Sequence, residues 1–421
     1  MSKSEKLPRR IIWSIILLSF SGELAWAVEN QFFNLFIYKE IAPVPLYVSL
    51  LVAITAVVST VTTILMGALS DVRGKRKVFL LIGYIFWTIT TAIFPIAGLF
   101  QPVWLAVTIA IIFDSIMTFF GATANDATLN AYVTDVTTLE NRGKVSSLKE
   151  IMFMTATLIV YAFSSFLIET FDFYSYFYII AILVGIFGIP GALITPEPKD
   201  LKPNELGFKR TIKRTFTIGT IKANKDLFIV LISVGLSSIA FNIFFPFVLI
   251  YLQYELLLDP LIASLLIFIA LLTSIIAAYP MGKLVDKIGR KKIGLFAIII
   301  ESIGLLLFAF SRIEIFLAIT SSLWVFGMLS YNIATKTWLK DLYPEDKRGQ
   351  FHGYFLLFSV LIGMTIGPLI GGLIAEIFGT PYIDPETTIP GFIPPPILFI
   401  IAGIMMLLAL IPLFAAKEVE K

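Results

Sequence analysis

Apolar stretches of about twenty residues recur from one end of this chain to the other, each long enough to cross the hydrocarbon core of a bilayer. That pattern removes most folds at once. In lipid every backbone N–H and C=O needs a partner within the chain, so only helices and closed barrels can span. The alternation of a barrel strand is absent. The chain is 58% hydrophobic and 14% charged, against about 25% charged in soluble domains, so water is not its main solvent. It reads as an all-α membrane protein.

Twelve spans are predicted, at 11–37, 46–70, 78–100, 103–135, 145–169, 173–194, 226–254, 260–285, 292–311, 314–340, 350–378 and 393–416. An even number puts both termini on one side of the membrane, and lysine and arginine say which. All but two of the 32 basic residues fall in the tails, in loops after even-numbered spans, or at the helix ends beside them; the exceptions are Lys39 and Arg312. The positive-inside rule makes that face, and both termini, cytoplasmic. The expected location is the plasma membrane.

The net charge of +3 reflects this loop bias and gives no reason to invoke nucleic acid. Without cysteine there are no disulfides, thiolate metal sites or cysteine nucleophiles. No histidine cluster or phosphate loop argues for an enzyme, and neither a metal nor a cofactor is expected. Met1 to Arg10 leads into a span with no small-residue cleavage site, so it reads as the retained start of the first helix.

Two motifs occur twice. Gly67-Ala-Leu-Ser-Asp71-Val-Arg73-Gly74-Lys75-Arg76-Lys77 returns 215 residues later as Gly282-Lys-Leu-Val-Asp286-Lys287-Ile-Gly289-Arg290-Lys291-Lys292. Each copy follows the second span of its half. Asp135-Val-Thr-Thr-Leu-Glu140-Asn-Arg142-Gly143 returns at an offset of 206 as Asp341-Leu-Tyr-Pro-Glu-Asp346-Lys-Arg348-Gly349. The lost residues belong between the third and fourth spans, where the first half has the longer Phe94–Trp104 turn. The chain therefore divides into pseudo-symmetric six-helix halves, 1–194 and 226–421, joined by a polar, basic linker at 195–225. The linker either lies on the anionic inner leaflet or is simply solvated.

At these residues the chain resembles the major facilitator superfamily, whose signature between spans two and three is Gly-x-Leu-Ser/Ala-Asp-basic-x-Gly-basic-basic. The second copy matches fully. The first departs at Val72, with Arg73 one position late. The resemblance implies a two-half carrier working by alternating access. It also implies a cytoplasmic gate built from Gly67, Asp71, Arg73, Gly74, Arg76, Asp135 and Arg142, and in the second half from Gly282, Asp286, Gly289, Arg290, Asp341 and Arg348. The two leading glycines read as places where helices approach closely; the aspartates end helices where arginines or a neighbouring helix N-terminus can meet them. The competing reading of the basic run is that it only fixes topology.

Ionisable groups inside a membrane are costly and usually functional. At about 1.5 Å per residue, Asp126 lies roughly 13 Å inside its span, and Glu23 is also near the middle. Lys149 and Glu150 fall nearer the inner surface, where side chains can snorkel to water. Glu23, Trp26, Asn30 and Asn34 share one helical face of span one. The resemblance makes spans one, four, seven and ten the lining of a central cavity. On that reading the stripe binds substrate; on the other it joins helices through its asparagines. The offset of 206 maps Asp126 and Asn130 onto Asn332 and Lys336 in span ten, and Asn242 completes the set. Asp126 and Lys336 either form a charge pair that switches between states, or Lys336 snorkels. Glu301 sits mid-span in span nine without a functional reading, and His352 starts span eleven in a structural place.

Pro344-Glu-Asp-Lys-Arg-Gly-Gln-Phe-His-Gly353 followed by Ile366-Gly-Pro-Leu-Ile-Gly-Gly372 is similar to the glycoside–pentoside–hexuronide symporters and related sugar carriers. That implies a symporter of a small polar solute such as a sugar or glycoside; the protein is expected to be a monomer. Span two lacks the acidic residues of that group's cation site, so if transport is coupled to an ion, a proton on Glu23 or Asp126 is the expected one. The runner-up is a proton-coupled exporter of drugs or metabolites, although span five, Lys149 to Glu169, has none of the glycine and proline usual there. A non-transporting receptor or lipid scramblase on the same fold is the third reading.

Overall fold

A computed structural model describes residues 7–138, 141–198, 201, 203, 224–343, 353–385 and 388–418. Arg348, His352 and most of the linker lie outside these. Among the described residues twelve helices are long and apolar enough to cross a membrane. They are α1 (Arg9–Ile41), α2 (Pro45–Arg73), α3 (Lys77–Leu99), α4 (Val103–Val136), α5 (Arg142–Thr170) and α6 (Phe173–Ile194), then α7 (Lys225–Glu255), α8 (Pro260–Ala278), α9 (Arg290–Phe310), α10 (Glu314–Leu342), α11 (Gly353–Phe378) and α12 (Ile397–Ala415). The predicted spans match these within a few residues, except at α8. There the helix stops at Ala278, and a short helix, Met281–Ile288, follows Pro280. Proline lacks the N–H that would continue the ladder.

Several of these helices are not uniformly α. π-turns run over Glu29–Phe33 and Ile37–Ile41 in α1, Ala122–Leu129 in α4, Tyr251–Glu255 in α7 and Leu357–Ile362 in α11. Each inserts backbone into the helix and rotates every side chain beyond it. Thr128 shows the widened spacing, donating its hydroxyl to the carbonyl of Thr123, five residues back, at 2.6 Å.

Packing divides the chain into two compact units. One runs over Met1–Phe36 and Val57–Arg214, the other over Ile37–Ala56 and Thr215–Lys421. In the first, α1 packs on α5 and α6, and α3 on α4 and α6. Aromatic rings fill one end: Phe33 stacks on Phe94 at 3.7 Å, and Phe177 meets Phe33 edge-on at 5.1 Å.

In the second unit α7 packs on α11 and α12, and α9 on α10 and α12. Glycines decide the α7–α11 crossing. A Cβ on Gly363 would stand 2.0 Å from Ser238 Oγ, and one on Gly371 would stand 2.1 Å from the Ile243 carbonyl oxygen. The glycine-rich run of α11 is thus a small-residue stripe that lets two backbones touch.

Between α11 and α12 two short strands make the arms of a hairpin. β1 (Thr380–Ile383) pairs antiparallel with β2 (Pro390–Ile393), Thr380 opposite Ile393. This hairpin holds the Ile37–Ala56 segment: Phe392 N–H donates to the Pro43 carbonyl, and Tyr38 OH to the Phe392 carbonyl, both at 2.9 Å. Tyr38, Tyr254 and Tyr382 continue the contact as a ladder of rings at 4.9 and 5.7 Å.

Candidate functional site

The interior of the first unit concentrates charge where α1, α4 and α5 meet. Lys149 on α5 donates Nζ to Asn130 Oδ1 at 2.5 Å, and its ammonium acts on both Glu23 and Asp126. Asn130 in turn donates Nδ2 to the Asp126 carbonyl at 2.8 Å. Asn125 donates to Asp126 Oδ1 at 3.3 Å and faces Glu23, while Trp26 and Ser59 stand on the other sides of the Asp126 carboxylate. The π-turn of α4 carries both Asn125 and Asp126, so one widened turn aims two polar side chains inward.

Two carboxylates thus share one ammonium. With both ionised, the trio carries one net negative charge, and a single added proton makes it neutral. A low-dielectric setting turns that difference into a large change in what the cluster attracts. For Lys149 the sequence leaves snorkelling to water open, and the structure takes the other course. It lies two turns into α5 and turns toward the acids instead. The cation facing Asp126 comes from its own unit, where sequence symmetry points to Lys336, which is exposed on α10.

The asparagines of α1 behave differently from a binding stripe. Asn30 donates to the Trp26 carbonyl at 2.8 Å, and Asn34 to the Asn30 carbonyl at 2.7 Å. Both amides serve their own helix across its π-turn, and Asn34 is 1% exposed. Trp26 packs on Trp87 with centroids 4.9 Å apart, against Gly121. Asn242, expected at the cavity, is buried at the α7–α11 crossing and donates Nδ2 to the Ser238 carbonyl at 2.8 Å. Asn332 is partly buried on α10.

Farther along α1 and α4, Glu29 Oε1 accepts from the Thr118 hydroxyl at 3.2 Å, with buried Asp114 one turn away on α4. Glu301 is buried on α9 against the backbone of α10 at Gly327, and neither of its carboxylate oxygens has a hydrogen-bond partner among the described residues.

The repeated motifs build two matching networks, one in each unit. Arg76, 3% exposed, donates Nη2 to Asp71 at 2.6 Å, Nε to Asp135 at 2.8 Å and Nη1 to Ser70 at 2.5 Å. Burial works against its charge, and Asp135 and Asp71 overcome it, raising its pKa above that of an ordinary arginine. Arg290, 8% exposed, donates to Asp286 at 3.2 Å, and its Nε lies 2.9 Å from Asp341. Each arginine sits at the start of a helix whose amides a glutamate caps. Glu197 accepts from the N–H groups of Arg76 and Lys77 at 2.9 and 3.0 Å, and Glu418 accepts from Arg290 N–H at 2.5 Å. A carboxylate there completes orphan donors and meets the positive end of the helix. The two glutamates were missed; each lies just past the last helix of its half.

Three details depart from expectation. Arg73 makes no pair with Asp71 and instead lies over the Phe79 ring, 5.8 Å from its centroid. Arg142 caps α4, donating to Thr137 Oγ1 at 3.1 Å and to the Thr134 carbonyl at 3.2 Å. Gly67 and Gly282 permit no close approach: a Cβ on Gly67 would meet only Ala127 at 3.9 Å, and one on Gly282 would meet nothing within 4 Å. The glycines the motif requires are Gly74 and Gly289, whose φ angles of 59° and 109° turn the chain into the next helix.

A family model described as Major Facilitator Superfamily matches residues 15–238 and 230–421. The chain belongs to that superfamily and is an integral membrane protein. Among solved structures, the nucleoside transporter NupG superposes with a TM-score of 0.73 at 13% identity, over 97% of this chain and 99% of that one. The inward open conformation of the xylose transporter XylE from E. coli gives 0.70 at 18% identity, over 97% of each chain. A D-xylose–proton symporter gives 0.71 at 17%, over 96% and 98%. At such identities the likeness is one of fold. A search of curated proteins by sequence returns no match.

Proposed function

We propose that this protein is a proton-coupled carrier of a small polar solute of the sugar or nucleoside class, working by alternating access in the plasma membrane with both termini cytoplasmic. The observation that carries the reading is the Glu23–Asp126–Lys149 cluster with Asn125 and Asn130, a set of charges held inside a membrane unit where structure alone would favour apolar packing. Hydroxyl-rich solutes need donors and acceptors in a partly apolar setting, and Trp26 beside Asp126 supplies the apolar face. A proton arriving at either carboxylate changes the charge facing Lys149, which couples occupancy to conformation. The cargo class is supported by the names of the structural neighbours, a nucleoside transporter and xylose transporters.

The halves 1–194 and 226–421 are the rocking bodies on this reading, and the Arg76 and Arg290 networks brace their cytoplasmic ends. Thermal-shift screening of the purified protein against sugars, nucleosides, amino acids and amphipathic drugs tests the cargo class. Stabilisation by a sugar or nucleoside, followed by its uptake into proteoliposomes, is the expected outcome. Stabilisation by amphipathic drugs alone would move the protein to the exporter reading.

A further inference from the structure

A groove of about 480 Å³ runs along the surface of the second unit between α7 and α12. On α7 its wall is Ile229, Ile232 and Leu236, spaced as one helical stripe. On α12 it is Leu408, Ile411 and Ala415, again one stripe, with Pro412 between them. The groove exists because α12 is interrupted. Its helix runs over Ile397–Leu408, breaks at Ala409 and resumes over Leu410–Ala415. Pro412 has no N–H to offer the Leu408 carbonyl, so the ladder cannot pass through. Ser233 satisfies the break from inside the unit, donating to the Ala409 carbonyl at 2.8 Å. The outward side is left concave and apolar.

One end of this groove is positively charged. Lys225 is one turn before Ile229 on the same stripe, Lys417 is two residues beyond Ala415, and both are exposed. The two helix ends meet here, because the backbone N–H of Lys417 donates to Asp226 Oδ1 at 3.2 Å. Lys291 adds a third ammonium, placed on the Phe414 and Ala416 carbonyls at 2.7 and 2.9 Å. Two acids lie at this end as well, Asp226 on that amide and Glu418 on Arg290 N–H, so the three ammonium groups outnumber the carboxylates by one. From Lys225 to Leu236 the stripe measures roughly 16 Å along the helix, close to the hydrocarbon depth of one leaflet, about 15 Å.

We propose that this groove is a binding site for an anionic phospholipid, with one acyl chain between α7 and α12 and its phosphate between Lys225 and Lys417. The length matches one chain of one leaflet. The lysines choose the headgroup, since a basic pocket between helices at the membrane surface selects anionic lipid. Two lysines at the surface correspond to a preference on the order of ten-fold or more over a zwitterionic headgroup.

Native mass spectrometry of the full chain in detergent tests this, with phosphatidylglycerol, phosphatidylcholine and glycerol phosphate as probes. The wild type should retain phosphatidylglycerol at least about ten-fold better than phosphatidylcholine, and glycerol phosphate should not compete. Ala415→Phe fills the groove, and the Lys225→Gln/Lys417→Gln double variant removes the charge. All three positions are exposed, and an unchanged melting temperature in lipid-free detergent checks that each variant folds. Both variants should lose the preference. Equal retention of the two lipids by the wild type would overturn the proposal, as would full retention of phosphatidylglycerol by both variants or effective competition by glycerol phosphate. A dimer dispersed by Ala415→Phe would place a second copy of the chain in the groove, and would overturn it equally.

Discussion

The two units share a plan at their basic ends and part company in their interiors. At the ends, one arginine, two aspartates and one capping glutamate recur in each unit. The copy that departs from the superfamily signature, at Val72, is the better satisfied of the two. Arg76 reaches both aspartates and Ser70 with aligned hydrogen bonds, and its aspartates are 44% and 22% exposed. Those of Arg290 are 64% and 40% exposed. Position 72 therefore matters less than where the arginine enters the next helix. In the interiors, the first unit gathers Glu23, Asp126 and Lys149, whereas the second uses glycines to press α11 against α7.

Breaking the charged interior should have the largest effect. Lys149→Met leaves two facing carboxylates without their ammonium. Uptake in proteoliposomes should fall on the order of a hundred-fold, while the same change at exposed Lys336 leaves the trio intact and has a smaller effect. If the two variants transport equally well, the cluster is not the working site.

The packing side of the comparison is tested at Gly371. Gly371→Val forces a branched side chain into the Ile243 carbonyl, at a cost upwards of about 3 kcal/mol, read as lost yield and a lowered melting temperature. Replacing the signature glycines should do almost nothing. Gly67→Ala and Gly282→Ala should leave stability unchanged or raise it by up to about 1 kcal/mol.

The two networks can be ranked directly. Arg76→Ala strands two partly buried aspartates and should cost about 2–4 kcal/mol. Arg290→Ala, with more exposed partners, should cost about 1–2 kcal/mol. Equal losses on thermal melting would mean that exposure is not what separates them. Arg73→Ala should be the mildest, at about 0.5–1 kcal/mol for one cation–π contact.

Much of this architecture is legible in the sequence, because span length and the side chosen by lysine and arginine are set by the solvent and not by packing detail. The pairing of Asp71 with an arginine is legible for the same reason, since the repeat places acid and base at one surface, whereas Asp135, expected in a network with Arg142, meets Arg76. What stays hidden is register. Depth counted at a uniform helical rise puts Glu23 and Asp126 near the middle of their spans, yet π-turns rotate side chains without leaving a sequence mark. By spacing Asn30 and Asn34 continue the stripe of Glu23, while each donates its amide N–H to a carbonyl of α1 itself. Lys149 is hidden differently. Two turns into its helix, either snorkelling or facing inward is affordable, and the positions of Asn130, Glu23 and Asp126 decide. Asn242 reads as a cavity group until the glycines of α11 are seen against it.

The central claim is that solute and proton move together through the Glu23–Asp126–Lys149 cluster. Its most direct test is solute-driven proton flux in proteoliposomes carrying a trapped pH indicator, with Asp126→Asn and Glu23→Gln measured beside the wild type. Once a transported solute is known, adding it outside should acidify the lumen of wild-type vesicles. Asp126→Asn, Glu23→Gln or both should lose the acidification while keeping solute exchange. Uptake with no proton movement in the wild type, or undiminished acidification in both Asp126→Asn and Glu23→Gln, would contradict the account.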